Sequence, residues 1–191
     1  MLVTLEIIII IIAQTIFFFL PAYFANMSPV LFEHFGWMKF LAVPVDCGRK
    51  LFGERLFGDH KTYRGIVAGA FTGTVTLGFQ ILLYLNFPQL HWLYLFSYQD
   101  WSVLILGFLL GFGALFGDLM KSFVKRRLHI KDGSPLVLLD QLDFVVGGLG
   151  FASFLFLLPW PHIYFLFILT PLLHLAVNIL GYFLKLKKVW W

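Results

Sequence analysis

Charged residues are scarce in this sequence. Asp, Glu, Lys and Arg make up 13% of its 191 residues, whereas a soluble domain averages about 25%. Hydrophobic residues account for 60% of the chain and aromatic residues for 19%. This composition excludes an ordinary soluble enzyme and is typical of an integral membrane protein.

Two further absences exclude a disulfide and one kind of nucleotide-binding site. The only cysteine is Cys47, which excludes an internal disulfide. The chain contains no GxxxxGK[ST] pattern, so it has no P-loop for binding a nucleotide. Its apolar N-terminal segment lacks a basic flank and a clear small-residue cleavage site, so we expect it to remain as a membrane span rather than be removed as a signal peptide.

Apolar segments predict the fold. A helix crosses a bilayer with about 20 mostly apolar residues, and five candidates cover about residues 2–24, 66–87, 101–117, 144–158 and 163–184. The fourth is short, but its helix can be lengthened by beginning before Asp140. We therefore predict an all-α integral membrane protein with five transmembrane helices, forming a single membrane domain over residues 1–191.

The basic residues predict the orientation. Residues 88–100 and 159–162 contain no Lys or Arg, and all fourteen lie in residues 25–65, 118–143 and the C-terminal tail. These three regions lie on one side of a five-span protein, and the positive-inside rule makes that side cytoplasmic. We expect the N-terminus outside, the C-terminus in the cytoplasm, cytoplasmic loops at 25–65 and 118–143, and location in the cell membrane.

Glycines recur at four-residue spacing within the predicted spans. The pairs are Gly69 and Gly73, Gly107 and Gly111, and Gly113 and Gly117. Small residues at this spacing let helix backbones approach closely in lipid. We expect this packing within one protomer, and a homodimer seam is the alternative.

The second loop concentrates charge of both signs. A helix continuing from Asp118 to His129 would carry four polar side chains on one face, namely Asp118, Ser122, Lys125 and His129. On this spacing Lys121 and Arg127 fall on other faces. A carboxylate, a hydroxyl, an ammonium and an imidazole would thus lie in one row.

Three aspartates in this loop are unusual because they lie at span ends among apolar residues. Asp140 and Asp143 are three residues apart, so in a helix both carboxylates point the same way as each other. Carboxylates at a membrane boundary need partners. Together with Asp118 and the neighbouring Lys and Arg, they suit a nucleoside triphosphate with Mg²⁺, which takes hard oxygen ligands.

The first loop contains PVDCGRKLFGERLFGDHKTYRG, residues 44–65. Its glycines alternate with basic residues, and such a loop can wrap phosphates with backbone N–H groups and cations. A polybasic segment that binds anionic lipid headgroups is the alternative interpretation.

The stretch GDLMKSFVKRRLHIKDGSPLVLLDQLD, residues 117–143, resembles the signature of the CTP-dependent phosphatidate cytidylyltransferases, or CDP-diacylglycerol synthases. The matching residues are Ser122, Lys125, Arg126, Lys131, Asp132, Pro135, Asp140 and Asp143. The chain departs from the signature where apolar residues 136–139 replace a glycine-rich loop and where Gln141 replaces an arginine.

The short chain and GDHKTYRG, residues 58–65, look more like the archaeal branch of that family, the CDP-archaeol synthases. The resemblance implies transfer of CMP from CTP to 2,3-bis-O-geranylgeranylglyceryl phosphate, which forms CDP-archaeol and pyrophosphate. The alternatives are a CDP-diacylglycerol synthase that uses phosphatidic acid, a CTP-dependent polyprenol kinase, and, from another class, a small membrane transporter.

The resemblance also implies roles for individual residues. Metal ligands for Mg²⁺ are expected at Asp118, Asp140 and Asp143. Catalytic residues are expected at Ser122, Lys125, Arg126, Lys131 and Asp132. Substrate-binding residues are expected at Asp46, Arg49, His60, Lys61, Thr62, Arg64 and Gly65. The expected partners are CTP, an isoprenoid glycerol lipid phosphate and membrane lipids, with no nucleic acid.

Overall fold

The computed structural model describes residues 2–130 and 139–185. They form five α-helices and the connections between them. The helices are α1 (Leu2–His34), α2 (Tyr63–Asn86), α3 (Leu104–Arg127), α4 (Leu139–Ala152) and α5 (Trp160–Phe183). Short 3₁₀ turns at Lys39–Leu41, Pro88–Leu93 and Trp101–Val103 lie in the connections. The helical membrane architecture agrees with the sequence prediction.

Four of these helices are long and apolar enough to cross a membrane: α1, α2, α3 and α5. Helix α4 has 14 residues and so reaches only about 21 Å at 1.5 Å per residue. Beyond it the chain continues without helix, and the Phe156 ring packs 4.5 Å from that of Phe96, in the connection before α3. The fifth crossing remains a prediction.

The helix ends differ from the predicted spans in two places. Helix α1 continues past residue 24 to His34, with Pro21 and Pro29 inside it, so the predicted loop 25–65 begins as helix. Helix α4 begins at Leu139 and includes Asp140, but it ends at Ala152 rather than at residue 158. Pro159 lies seven residues beyond this end and is the N-cap of α5.

Glycines set the spacing between α2, α3 and α4. A Cβ atom on Gly73 would lie 2.8 Å from the Cα of Gly111, and one on Gly113 would lie 2.6 Å from the carbonyl oxygen of Gly147. Only residues without a side chain fit such contacts. The expected packing within one protomer is thus confirmed, and α3 is held closely between α2 and α4.

A small hairpin, which the sequence analysis did not predict, joins the first loop to α3. Strand β1 (Lys50–Leu51) pairs antiparallel with β2 (Glu54–Arg55). The Arg127 guanidinium donates hydrogen bonds to the carbonyl oxygens of Glu54 and Arg55 at 3.3 and 2.7 Å. It also lies 5.0 Å from the centre of the Phe123 ring. The last turn of α3 therefore anchors the loop.

We expect Gly117→Ala to destabilise the protein by about 1–3 kcal/mol, the usual range for overpacking. A Cβ at this position would overlap the backbone oxygen of Asp143 on α4. The matched control is Gly150→Ala, because a Cβ there meets nothing within 4 Å. Thermal unfolding of both variants in detergent measures the difference, and equal midpoints would contradict the packing described above.

Candidate active site

One ammonium group contacts three carboxylates where α3 meets α4. The Nζ of Lys121 lies 3.0 Å from Asp118 Oδ1, 3.3 Å from Asp140 Oδ1 and 2.6 Å from Asp143 Oδ2. The Asp143 side chain is only 5% exposed. Three acids drawn from two helices are therefore held together by a shared cation.

Two more lysines complete this arrangement. Lys61, from the first loop, forms an ion pair with Asp118 through Oδ2, and the Nζ of Lys125 lies 2.7 Å from Asp140 Oδ1. We call the six residues Lys61, Asp118, Lys121, Lys125, Asp140 and Asp143 the ion cluster. Its three positive and three negative charges balance, which meets the need of buried charges for partners.

Lys121 was not among the predicted site residues, because helical spacing was taken to place it on a different face from Asp118. A signal for it existed, since side chains three residues apart in a helix are neighbours. The prediction that His129 shares a helix face with Asp118 and Lys125 was wrong. Helix α3 ends at Arg127, His129 has a positive φ of 54°, and its Nδ1 lies 3.5 Å from Glu54 Oε1 instead of joining the row.

The ion cluster offers carboxylate oxygens, which are the ligands that a hard divalent cation such as Mg²⁺ prefers. As placed, these oxygens converge on the Lys121 ammonium. Among residues 2–130 and 139–185, no three Asp, Glu, His or Cys side chains form a metal-ligand group. A metal ion held by these aspartates would therefore replace Lys121 at the point of convergence.

A polar pocket of about 300 Å³ lies on one side of the ion cluster, at the N-terminus of α2. Its lining includes His60, Lys61, Thr62, Arg64, Gly65 and Asp118. The Thr62 hydroxyl caps α2 by accepting a hydrogen bond from the Gly65 N–H at 3.3 Å. A helix N-terminus with basic side chains around it favours a bound phosphate.

Backbone pairing fixes the residues that line this pocket. Val45 donates its N–H to the carbonyl of Lys61 at 2.8 Å, and Tyr63 donates to that of Val43 at 3.0 Å. Arg64 is held by Glu33 at the end of α1, with 3.8 Å between its NH2 and Glu33 Oε2. Lys61 therefore enters the ion cluster from a backbone that is held on both sides.

Asp46 has a structural position within the loop. Its buried carboxylate accepts hydrogen bonds from the Arg55 guanidinium and from the backbone N–H groups of Gly48, Phe57 and Gly58. These bonds, above all those from Arg55, hold the pKa of Asp46 well below its usual range, although burial opposes the shift. Asp46 and the exposed Arg49 lie outside the lining of the polar pocket.

Three predicted catalytic residues lie on α3 and two lie elsewhere. The buried Ser122 donates its hydroxyl to the Asp118 carbonyl at 3.0 Å. Lys125 belongs to the ion cluster, and Arg126 lies partly buried on the last turn of α3. Lys131 and Asp132 lie outside the described residues.

An apolar groove of about 580 Å³ lies on the other side of the ion cluster, between α3 and α4. Phe116, Met120 and Val124 line it from α3, and Leu142 and Val146 line it from α4. Lys121 and Asp143 also border the groove. The ion cluster thus separates a polar pocket from an apolar groove.

Comparison with known proteins gives relatives along nearly the whole chain. A family model described as CarS-like CDP-archaeol synthase matches residues 7–191. The chain is 38% identical over 181 residues to the CDP-archaeol synthase of Pyrococcus furiosus, which covers 94% of this chain and 98% of that protein. It is 39% identical over 182 residues to the CDP-archaeol synthase of Methanococcus maripaludis, with coverage of 93% and 96%.

A solved structure is similar as well. It is presented as an intramembrane enzyme for archaeal membrane lipids biosynthesis, and it is 36% identical to this chain. The two structures superpose with a TM-score of 0.66, covering 86% of this chain and 92% of the other.

We expect Asp46→Asn to loosen the first loop by about 1–3 kcal/mol, the effect of leaving buried hydrogen-bonding groups without their charged partner. Because the pKa of Asp46 is lowered in the folded protein, its contribution is present above the ordinary carboxyl pKa of about 3.9 and is lost only as the pH falls through the lowered value.

Limited proteolysis between residues 44 and 60 at neutral pH measures this loosening. The control is Asp59→Asn, because the Asp59 carboxylate also contacts Arg55 but is exposed. Equal cleavage rates in the two variants would rule out a structural role for Asp46.

Proposed function

The chain belongs to the CarS-like CDP-archaeol synthase family, and we propose that its ion cluster is the place where CTP and a lipid phosphate react. The protein is a CTP-dependent cytidylyltransferase that forms CDP-archaeol in archaeal lipid biosynthesis. The resemblance to the archaeal branch is thereby confirmed. The observation that supports this site is the position of six alternating charges between a polar pocket and an apolar groove.

The transfer exchanges one phosphorus–oxygen bond for another. A phosphate oxygen of the lipid, which we propose to be 2,3-bis-O-geranylgeranylglyceryl phosphate, attacks the α-phosphorus of CTP. The bond from this phosphorus to the oxygen that bridges to the β-phosphate breaks, and pyrophosphate leaves with the electron pair. The attacking group is already an anion and needs no strong general base, so catalysis rests on positioning and charge neutralisation.

The polar pocket is the proposed site of the CTP triphosphate. Its phosphates would meet the N–H groups at the start of α2, with Lys61 and Arg64 as cationic contacts and His60 and Thr62 as further donors. Gly65 lines the same pocket, where a Cβ would make an ordinary contact, 3.7 Å from Pro29. Lys61, which also pairs with Asp118, would hold the triphosphate next to the ion cluster.

Asp118, Asp140 and Asp143 would hold Mg²⁺ when it accompanies CTP. The ion would supply positive charge that stabilises the leaving pyrophosphate. Until the ion binds, Lys121 neutralises the three carboxylates and keeps them together.

The remaining proposed residues surround the reacting phosphates. Lys125 and Arg126, on the last turn of α3, would neutralise the phosphate charge that builds up during transfer. Ser122, Lys131 and Asp132 keep the roles that the family resemblance implies, and Ser122 additionally binds the helix backbone.

We propose that the ion cluster faces the cytoplasm, in an integral protein of the cell membrane with five crossings. The basic residues of the first loop and of α3 meet at one end of the bundle, where Lys61 contacts Asp118 and Arg127 contacts β2. The connection over residues 87–103, at the other end, contains no Lys or Arg. The positive-inside rule supports this orientation.

Purified protein supplied with CTP, Mg²⁺ and the geranylgeranyl lipid phosphate should place label from [α-³²P]CTP in the lipid and label from [γ-³²P]CTP in pyrophosphate. Asp143→Asn should lower the rate by about 10²–10³-fold, the scale for losing one preorganised electrostatic group. Asp100→Asn is the control, because Asp100 caps a 3₁₀ turn in the connection before α3.

Two results would contradict the assignment. Label from [γ-³²P]CTP in the lipid would identify a kinase instead. An Asp143→Asn variant as active as Asp100→Asn would remove Asp143 from the site.

A further inference from the structure

The apolar groove between α3 and α4 borders the ion cluster near one of its ends. Its lining exposes almost no polar surface, and its two charged members, Lys121 and Asp143, are also members of the cluster. From Asp143 to Phe151 the groove follows α4 for about 12 Å at 1.5 Å per residue, and Phe154 lines it just beyond the helix end. The groove is therefore elongated and mostly apolar, with its charged residues about one helical turn from the end that Val124 and Leu139 line.

Glycines form the floor of this groove. Gly117 and Gly147 bring the two backbones into direct contact, so no side chain fills the space above them. Farther along, a Cβ on Gly150 would meet nothing within 4 Å. The rim consists of exposed apolar side chains, among them Val146 and Phe154. The groove thus lies open at the surface of the helix bundle. It exists because its floor is made of glycines, which have no side chains to fill it.

Contact with the ion cluster distinguishes this groove from two other, smaller apolar depressions on the described surface. Two smaller depressions between α1 and α5, about 130 and 200 Å³ in volume, share Asn26, Met27, His174 and Val177 in their linings. Neither lining includes a residue of the ion cluster. A headgroup bound in either of these two depressions would lie away from the ion cluster, where we propose that the phosphates react.

The charge near one end of the groove selects the headgroup. Lys121 borders the groove and its Nζ lies 3.0 Å from Asp118 Oδ1, while Asp118 borders the polar pocket. An apolar chain in the groove would therefore place its head at Lys121, one ion pair away from the polar pocket. Three carboxylates already surround this ammonium, so it would bind a phosphate headgroup once a metal ion had replaced it among them.

We propose that the groove between α3 and α4 holds one isoprenoid chain of the lipid phosphate and sets the position of its phosphate at Lys121. This inference rests on the proposed function and adds where the lipid binds. Binding along the groove buries the chain against both helices, and the chain length determines how much of the groove is filled.

The test fills the groove at Gly150. Gly150→Trp, with Gly150→Leu as a smaller second variant, adds apolar bulk where the structure has open space. The control is Val75→Trp, because Val75 is an exposed apolar residue on α2 outside the groove lining. Each protein receives CTP, Mg²⁺ and either 2,3-bis-O-geranylgeranylglyceryl phosphate or a short-chain dibutyl analogue.

The KM for the geranylgeranyl substrate should rise about tenfold or more in the Gly150 variants, because displacing a few buried methylenes forfeits about that factor. The KM for CTP and the turnover of the dibutyl analogue should stay at the wild-type values. Val75→Trp should behave as wild type with both lipids. An unchanged long-chain KM in the Gly150 variants would overturn the proposal.

A cross-linking experiment with wild-type protein tests the same site without any variant. A geranylgeranyl lipid phosphate with a diazirine at the chain end should label the peptide around Phe154 or that around Phe116. Labelling confined to α1 and α5 would overturn the groove assignment. If the wild type formed no CDP-lipid from either substrate, the proposed function itself would fail.

Discussion

The ammonium of Lys121 is the interaction on which the candidate site depends. It neutralises three aspartates that come from two helices, and these would otherwise repel one another in a poorly solvated place. The glycine contacts between Gly117 and Gly147 bring α3 and α4 close enough for that one side chain to reach across. Helix packing and charge balance are therefore parts of the same construction.

Asp118 extends this construction to the first loop. It pairs with Lys121 on one side and Lys61 on the other, so the polar pocket and the apolar groove share one wall. A triphosphate arrives from water and a lipid phosphate from the membrane, and each would find its own chemistry on its own side. The buried Asp46 contributes indirectly, because it holds the loop that presents Lys61.

Local patterns carried much of the architecture and several site residues. Long apolar segments predicted the helices, and aspartates at their ends predicted where Asp118, Asp140 and Asp143 would gather. Lys121 was missed because only the row through Asp118, Ser122 and Lys125 was considered, although a side chain three residues from Asp118 is also its neighbour. The role of Asp46 depends on hydrogen bonds within its own loop, and the groove depends on how closely α3 and α4 pack; a residue pattern specifies neither.

A structure of the protein with bound CTP, Mg²⁺ and the dibutyl lipid phosphate analogue would show where the two substrates lie. We expect the triphosphate at the N-terminus of α2 beside Lys61, and the lipid phosphate at Lys121, with the ion cluster between the two. A triphosphate away from α2, or a lipid phosphate away from Lys121, would contradict this arrangement.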